Sequence, residues 1–379
     1  MLKIVVDENI AFAKTAFNQL GNVTLLSGRK ITNAILKDTD VLIVRSITNA
    51  NEALLKDTKV RFIGTATIGT DHIDLEYLKK NNIAFADAKG CNAYSVAEYI
   101  IAALLNLSVR FNFKLSDKSI GIVGVGNVGG KVAAFTQALG MKVLLNDPPL
   151  QRNGDKRNLV RLDEIFSTDI ITLHTPLNLI GADKTFHLFD KENINKIKDG
   201  AVLINSSRGA IINNNELLNL IDRKNLKIVL DVWENEPNVN VNLLQKAIIA
   251  TPHIAGYSYE GKVNGTKIIY NSLCNYLSEG KTFSFDLENP TDQLKQFDGT
   301  EKIEGSLNSL INSIYSIKDD DIRMRKMITM NESQRILEFD LLRKNYPNRR
   351  EFNNYKIKSD NLSDEIKNIL KNFRFNLIT

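Results

Sequence analysis

Four short stretches of this 379-residue chain hold side chains able to do chemistry together: GVGNVG (124–129), NSSRG (205–209), DVWENEP (231–237) and TPHIAGYS (251–258). Imidazole has an ordinary pKa near neutrality, so His253 suits the removal of a proton from a hydroxyl. Glu236 is placed to hydrogen-bond the far ring nitrogen, fix its tautomer and favour the imidazolium that forms. Arg208 offers a planar fork for a carboxylate and for a carbonyl oxygen developing beside it. Asp231 is expected at the carboxamide end of a nicotinamide. The chemistry these groups fit is oxidation of a 2-hydroxy acid, with hydride leaving C2 for a nicotinamide.

The nucleotide half of that reading rests on the glycines. Gly124, Gly126 and Gly129 follow a strand-like run, Ser119 to Val123, and precede a helical one, Lys131 to Leu139. The first glycine permits a tight turn, the second lets backbone approach a pyrophosphate, and the third lets helix pack on strand. The helix start then offers free N–H groups to the phosphates. Strand KVLLN ends at Asp147, whose carboxylate suits both adenine-ribose hydroxyls and repels a 2′-phosphate. This selects NAD over NADP.

Each group has a bland reading when taken alone. His253 could be a packing histidine, Arg208 a surface charge and Glu236 a solvated turn. Their shared position on strand-end loops downstream of one fingerprint shifts the balance. His72, His174 and His187 lack such company and are read as structural.

These residues need a frame of parallel strands. Apolar runs of strand length (KIVV, VLIVR, RFIGTA, SIGIVGVG, KVLLND, DIITLHT, AVLINSS, KIVLDVW, AIIATPH) alternate with helix-spaced stretches over the first 280 or so residues. That alternation predicts parallel sheets with right-handed crossovers. Residues from about 283, TFSFDLENPTDQLKQFDGTEK, read as a linker into a last module with helical segments SLNSLINSIYSI and SDEIKNILKNF.

A mass of 42.6 kDa calls for two or three domains. The net charge of +5 leans toward small anions, and no basic run demands nucleic acid. Two cysteines, Cys91 and Cys274, form neither a disulfide framework nor a metal-ligand spacing, which suits a reducing compartment. No metal is expected. The apolar YIIAALLNL run (99–107) is too short to span a bilayer, so a cytoplasmic chain without membrane contact is expected.

GVGNVG, LHTPL, NSSRG, DVWENEP and TPHIAGYS, in this order, resemble the D-2-hydroxyacid dehydrogenase family over about residues 1–280. VDENI, VRSIT, GTATIGTDHID, GCNA, the doubled proline of NDPP and FDLLRKNYPNRREF narrow the resemblance to one branch with an extra terminal domain. The resemblance implies an α/β fold. A Rossmann-type NAD domain (98–257) is inserted into a flavodoxin-like substrate domain (1–97 with 258–283). A small C-terminal α/β dimerisation domain (284–379) follows. Near residues 97 and 257 the two crossings are expected to act as a hinge. The resemblance further implies a small phosphorylated 2-hydroxy acid as substrate and a homodimer. By motif match Arg208, Glu236 and His253 are catalytic; Asp147, Thr175, Asp231 and Gly256 contact NAD; Ser46, Thr67 and Tyr257 contact substrate. Asn213 departs from relatives that often carry an acid there, and the 150–158 loop matches loosely. Arg45 beside Ser46, backbone N–H groups of the Gly-rich 64–70 turn, and Arg349 and Arg350 reaching in from a partner subunit are candidates for the substrate phosphate. Two other readings stay open: a different 2-hydroxyacid dehydrogenase such as one acting on phosphoglycerate, and an NAD-sensing protein without turnover.

Overall fold

The structure is a computed structural model that describes residues 1–282, 293–299 and 302–379. The chain divides into two compact units. One comprises Met1–Asn92 with the chain that resumes at Ser258; the other comprises Ala93–Tyr257 with the C-terminal residues.

The first unit is built on five strands: β1 (Leu2–Asp7), β2 (Gly21–Leu26), β3 (Val41–Val44), β4 (Phe62–Thr65) and β5 (Ala84–Asp87). They pair in parallel in the order β2-β1-β3-β4-β5, the doubly wound order of flavodoxin-like folds. All four residues of β3 and of β4 are buried, as a sheet covered on both faces requires. The helix Tyr259–Tyr276 starts on Ser258, whose side chain accepts from the Gly261 N–H, and buries Ile269, Tyr270 and Leu273. A Cβ on Gly64 would stand 2.4 Å from Ile269 Cγ2, so the close approach of this helix to β4 depends on that glycine.

The second unit holds six more strands: β6 (Ser119–Val123), β7 (Lys142–Asn146), β8 (Ile170–Leu173), β9 (Val202–Asn205), β10 (Lys227–Leu230) and β11 (Ile249–Ala250). Their order is β11-β10-β9-β8-β6-β7, all parallel. Beyond β7 a single parallel bridge, Leu145 to Leu159, stands where a Rossmann sheet has a further strand. The helix Ala93–Phe111 contains the YIIAALLNL run and is buried on nearly every side, the pattern of a helix enclosed by a core. Among the described residues no helix is long and apolar enough to cross a membrane.

The C-terminal residues add a third parallel sheet, β12 (Gln293–Lys295), β13 (Tyr355–Lys358) and β14 (Asn376–Ile378), in that order. Thus β12 lies inside the stretch read as linker; residues 283–292 and 300–301 of that stretch fall outside the described residues. The first anticipated helix is Ile303–Asn312, which starts earlier than SLNSLINSIYSI and ends before its Ser313–Ile317, and the second is Asp364–Asn372. Leu307, Leu310 and Ile311 of the first share one core with Ile100, Leu104 and Leu107. Phe352 and Phe375 stack at 5.0 Å between ring centres in the same cluster.

Candidate active site

The carboxyl ends of the six strands of the second unit carry the residues singled out above. Gly124 follows β6, Asp147 follows β7, Thr175 lies just past β8, Arg208 past β9, Asp231 directly after β10 and His253 past β11. In an open parallel sheet this is the edge at which ligands bind.

The fingerprint turn is shaped by close packing. Gly124 has φ +86°, and a Cβ there would meet the His174 carbonyl at 2.7 Å. A Cβ on Gly129 would meet the Gly124 carbonyl oxygen at 2.0 Å, whereas one on Gly126 would meet nothing within 4 Å. Gly126 therefore stands open where a pyrophosphate would approach, at the N-cap of the helix Asn127–Ala138. That helix starts four residues earlier than its apolar spacing predicts, because Asn127 to Gly130 hold no apolar face beyond Val128. Asp147 accepts from Val125 N at 2.8 Å and from Leu150 N at 3.0 Å, one bond on each oxygen. A carboxylate oxygen takes about two hydrogen bonds, so one position on each remains for a ribose hydroxyl. Thr175 Oγ1 is buried without a hydrogen-bond partner, as expected of a group that awaits a ligand. These features fit NAD.

His253 and Glu236 form a bonded pair. His253 Nδ1 lies 2.7 Å from Glu236 Oε2, and Glu236 Oε1 accepts from Trp233 N at 2.7 Å. Burial pushes the Glu236 carboxyl up. His253, with its charge and hydrogen bond, and the Trp233 N–H outweigh that and hold it below its ordinary value. With Nδ1 engaged, Nε2 is the ring nitrogen left to exchange a proton with substrate.

Asp231 organises the loop that bears this histidine. Its Oδ1 accepts from Thr251 Oγ1 at 2.6 Å and Ile254 N at 2.8 Å, and its Oδ2 from Ala255 N at 3.0 Å. Its carbonyl accepts from His253 N at 2.7 Å. Tyr99 Oη lies 2.8 Å from Thr251 Oγ1, and Trp233 Nε1 donates to the Thr251 carbonyl at 3.0 Å. Burial raises the Asp231 pKa against the pull of His253, Thr251 and the two backbone N–H groups.

Arg208 sits in a loop held by Asn205, which donates to the Arg208 carbonyl at 2.9 Å and accepts from Ser207 N and Oγ. Arg208 Nη1 donates to the Ser207 carbonyl at 2.7 Å. Gly256 is half-exposed between His253 and Tyr257. Tyr257 lies edge-on to Tyr346 at 5.7 Å. In the first unit, Ser46 is exposed beyond β3, and Thr67, beyond the neighbouring β4, bonds Thr65 at 2.7 Å and the Gly69 carbonyl at 3.1 Å. Arg45 Nε lies 3.4 Å from buried Asp7.

The other histidines are tied into structure. Burial pushes His174 down to about 3, and its ring bonds Thr172 at 3.0 Å. His72 bonds Thr65 at 3.0 Å. His187 sits 2.6 Å from Glu234 and stacks on Phe186.

Residues 106–255 match the D-isomer specific 2-hydroxyacid dehydrogenase NAD binding domain, and residues 289–372 match a domain of unknown function, DUF3410. The chain is 43% identical over 369 residues to the erythronate-4-phosphate dehydrogenase of Escherichia coli O127:H6 (strain E2348/69 / EPEC), covering 96% of this chain and 95% of that one. It is 42% identical over 367 residues to the enzyme of the same name from Proteus mirabilis (strain HI4320), covering 95% and 96%. The chain belongs to the erythronate-4-phosphate dehydrogenase family. A solved structure of NAD+-bound 3-phosphoglycerate dehydrogenase from Entamoeba histolytica superposes with a TM-score of 0.63 at 26% identity, over 74% of this chain and 96% of that one. This member of the erythronate-4-phosphate dehydrogenase family is thus an NAD-dependent D-2-hydroxyacid dehydrogenase by fold and sequence.

Several residues of this family member's site escaped the sequence reading. Gly209 was legible only as part of NSSRG, yet a Cβ there would meet the Trp233 carbonyl carbon at 1.9 Å. Arg157, from the loosely matched 150–158 loop, donates to the Val125 carbonyl at 3.0 Å, so that loop does touch the fingerprint turn. Asn213, the departure from an acid, caps the helix Asn214–Leu220 by accepting from Glu216 N at 3.1 Å, a task asparagine and aspartate share. Arg349 is not available to a partner's site. It is buried in its own chain, stacked 3.9 Å over Tyr315, and donates to the Ser95 and Ala255 carbonyls.

Proposed function

We propose that the chain oxidises C2 of 4-phospho-D-erythronate with NAD, giving 2-oxo-3-hydroxy-4-phosphobutanoate and NADH, an early step in pyridoxal 5′-phosphate synthesis in the cytoplasm. The observation that carries this reading is the His253–Glu236 pair at 2.7 Å, on the NAD-binding edge of a chain similar along its whole length to erythronate-4-phosphate dehydrogenases. Bound NAD supplies the hydride acceptor. His253 Nε2 takes the C2 hydroxyl proton as hydride leaves C2, and the imidazolium shares its charge with Glu236. Arg208 binds the C1 carboxylate and the forming C2 carbonyl oxygen. Asp147, Thr175, Asp231 and Gly256 contact NAD in this scheme, with Gly124, Gly126 and Gly129 at its pyrophosphate. Ser46, Thr67 and Tyr257 contact substrate.

The same reading divides the labour: 1–97 with 258–283 binds substrate, 98–257 binds NAD, and 284–379 joins two copies. Exposed Ile322, Leu337 and Leu341 in the last segment support a homodimer.

The test follows NADH absorbance with purified protein and NAD, offering 4-phosphoerythronate and D-3-phosphoglycerate side by side, each with and without a 2-oxo acid to reoxidise bound NADH. Preference for phosphoerythronate is expected. Turnover of phosphoglycerate alone would keep the chemistry and reject the substrate. Binding of NAD with no turnover of either would favour a sensor.

A further inference from the structure

Four arginines of the C-terminal residues pair with carboxylates, while Arg335 donates to the Met330 carbonyl and Arg350 to Asn354. Arg323 pairs with Asp320, Arg325 with Asp321 at 2.7 Å, Arg349 with Glu98 at 3.6 Å and Arg374 with Glu351 at 3.0 Å. Arg343, on the helix Glu332–Lys344, differs. Its polar side-chain partner is the Tyr257 hydroxyl, and its Nε, like those of Arg335 and Arg349, is buried with no hydrogen-bond partner. A largely buried guanidinium is costly to hold unless its charge and its donors are answered.

Its surroundings say what answers them. The guanidinium lies 5.9 Å from the ring centre of Tyr257 and 5.8 Å from that of Phe339. Tyr257 is four residues past His253, in the loop anchored by Asp231. The charge is felt at the proton-transfer pair: burial disfavours the Arg343 cation, but Tyr257, Glu236 and Asp231 more than offset this and raise its pKa. Arg343 is therefore a cation held at the edge of the catalytic loop with donor capacity to spare.

We propose that Arg343 binds the phosphate of the substrate. The inference rests on the reading of the chain as a dehydrogenase of a phosphorylated 2-hydroxy acid. In that reading Arg208 is committed to the carboxylate end, which leaves the phosphate dianion to be neutralised. A guanidinium fork matches phosphate oxygens in pairs. The C-terminal residues then complete the substrate site as well as a dimer contact. They distinguish a phosphorylated substrate from the plain hydroxy acid.

Two variants test this. R343Q removes the charge, and R343M keeps the aliphatic stem packed against Tyr257 and Phe339. Both should raise KM for 4-phosphoerythronate and lower the preference for it over unphosphorylated D-erythronate by about tenfold or more, the scale of a lost charge-assisted contact. NAD affinity should hold. Binding of inorganic phosphate to the NAD-loaded protein, followed by fluorescence of Trp233, the only tryptophan, should weaken by a similar factor. An unchanged KM and unchanged phosphate binding would overturn the proposal. So would an equal loss for both substrates, or a displaced pH profile at constant KM, which is the mark of a group acting only through Glu236. If wild-type protein fails to turn over phosphoerythronate yet binds phosphate through Arg343, the activity reading falls and the phosphate site stands.

Discussion

His253 has a left-handed backbone, φ 58°, a conformation that costs a non-glycine residue about 1–3 kcal/mol unless its surroundings hold it. Asp231 does the holding, since its carboxylate and carbonyl take bonds from Thr251, His253, Ile254 and Ala255. The same twist that strains the residue aligns its Nδ1 on Glu236. His253→Asn should lower kcat by about 10²–10⁴-fold, the range for loss of a general base, and leave NAD affinity intact. Near-wild-type kcat would remove His253 from the mechanism. Asp147 fixes Val125 N and, in the proposed scheme, also faces the adenine ribose. Asp147→Ala should weaken NAD and narrow its advantage over NADP; steady-state KM values for both cofactors would show an unchanged ratio if the ribose role is wrong.

At the scale of elements, the site depends on how closely neighbouring strand-end loops pack. Gly209 lets the loop after β9 pass against the backbone of Trp233 and Glu234 after β10, where a Cβ would lie 1.9–2.3 Å from main-chain atoms. Main chain cannot rotate aside as a side-chain tip does. Gly209→Ala should therefore cost about 1–3 kcal/mol as overpacking and displace both Arg208 and Glu236. A thermal melt and kcat/KM should fall together; an unchanged melt with wild-type activity would show that the two loops can separate freely. Two edge strands, β2 and β5, were not read from the sequence. The former shows no clean burial alternation, and the latter is the alanine-rich AFAD, which has little β-branched character.

For the whole molecule, the buried cluster joining the helix Ala93–Phe111 to the C-terminal residues makes stability depend on pH. Glu98 is fully buried, accepts from Phe352 N at 2.9 Å and lies 3.6 Å from Arg349. Burial, with Glu351 nearby, pushes its carboxyl up to about 8 despite Arg349. A carboxyl raised on folding holds its proton better folded than unfolded. Its stabilising contribution is full below the ordinary carboxylate range and is lost as pH rises toward about 8. Urea midpoints for wild type should thus fall between about pH 6 and about pH 8.5, and Glu98→Gln should flatten that fall. Equal slopes in the two proteins would show that Glu98 is not the titrating group. The proposed homodimer predicts a light-scattering mass of twice 42.6 kDa. Leu337→Glu with Leu341→Glu, one turn apart and exposed on one helix, should lower it toward that of one chain; an undisturbed dimer would place the interface elsewhere.

What the amino-acid sequence determined alone was whatever depends on local spacing. The fingerprint glycines, the acid closing β7 and the order of the strand-end motifs were legible because turns and strands impose short-range rules on residue type. So were the parallel sheets, from the alternation of strand and helix lengths. The tertiary structure alone decided what depends on distant segments meeting. Gly209 matters because Trp233 passes it, and Asp231 because Thr251, Ile254 and Ala255 fold back onto it. Arg343 and Arg349 share a basic stretch and look alike in sequence. One is consumed by Glu98, Tyr315 and two carbonyls, and the other is left facing Tyr257. Charge is visible in a sequence, but whether a charge is paired is settled only by the chain that packs around it.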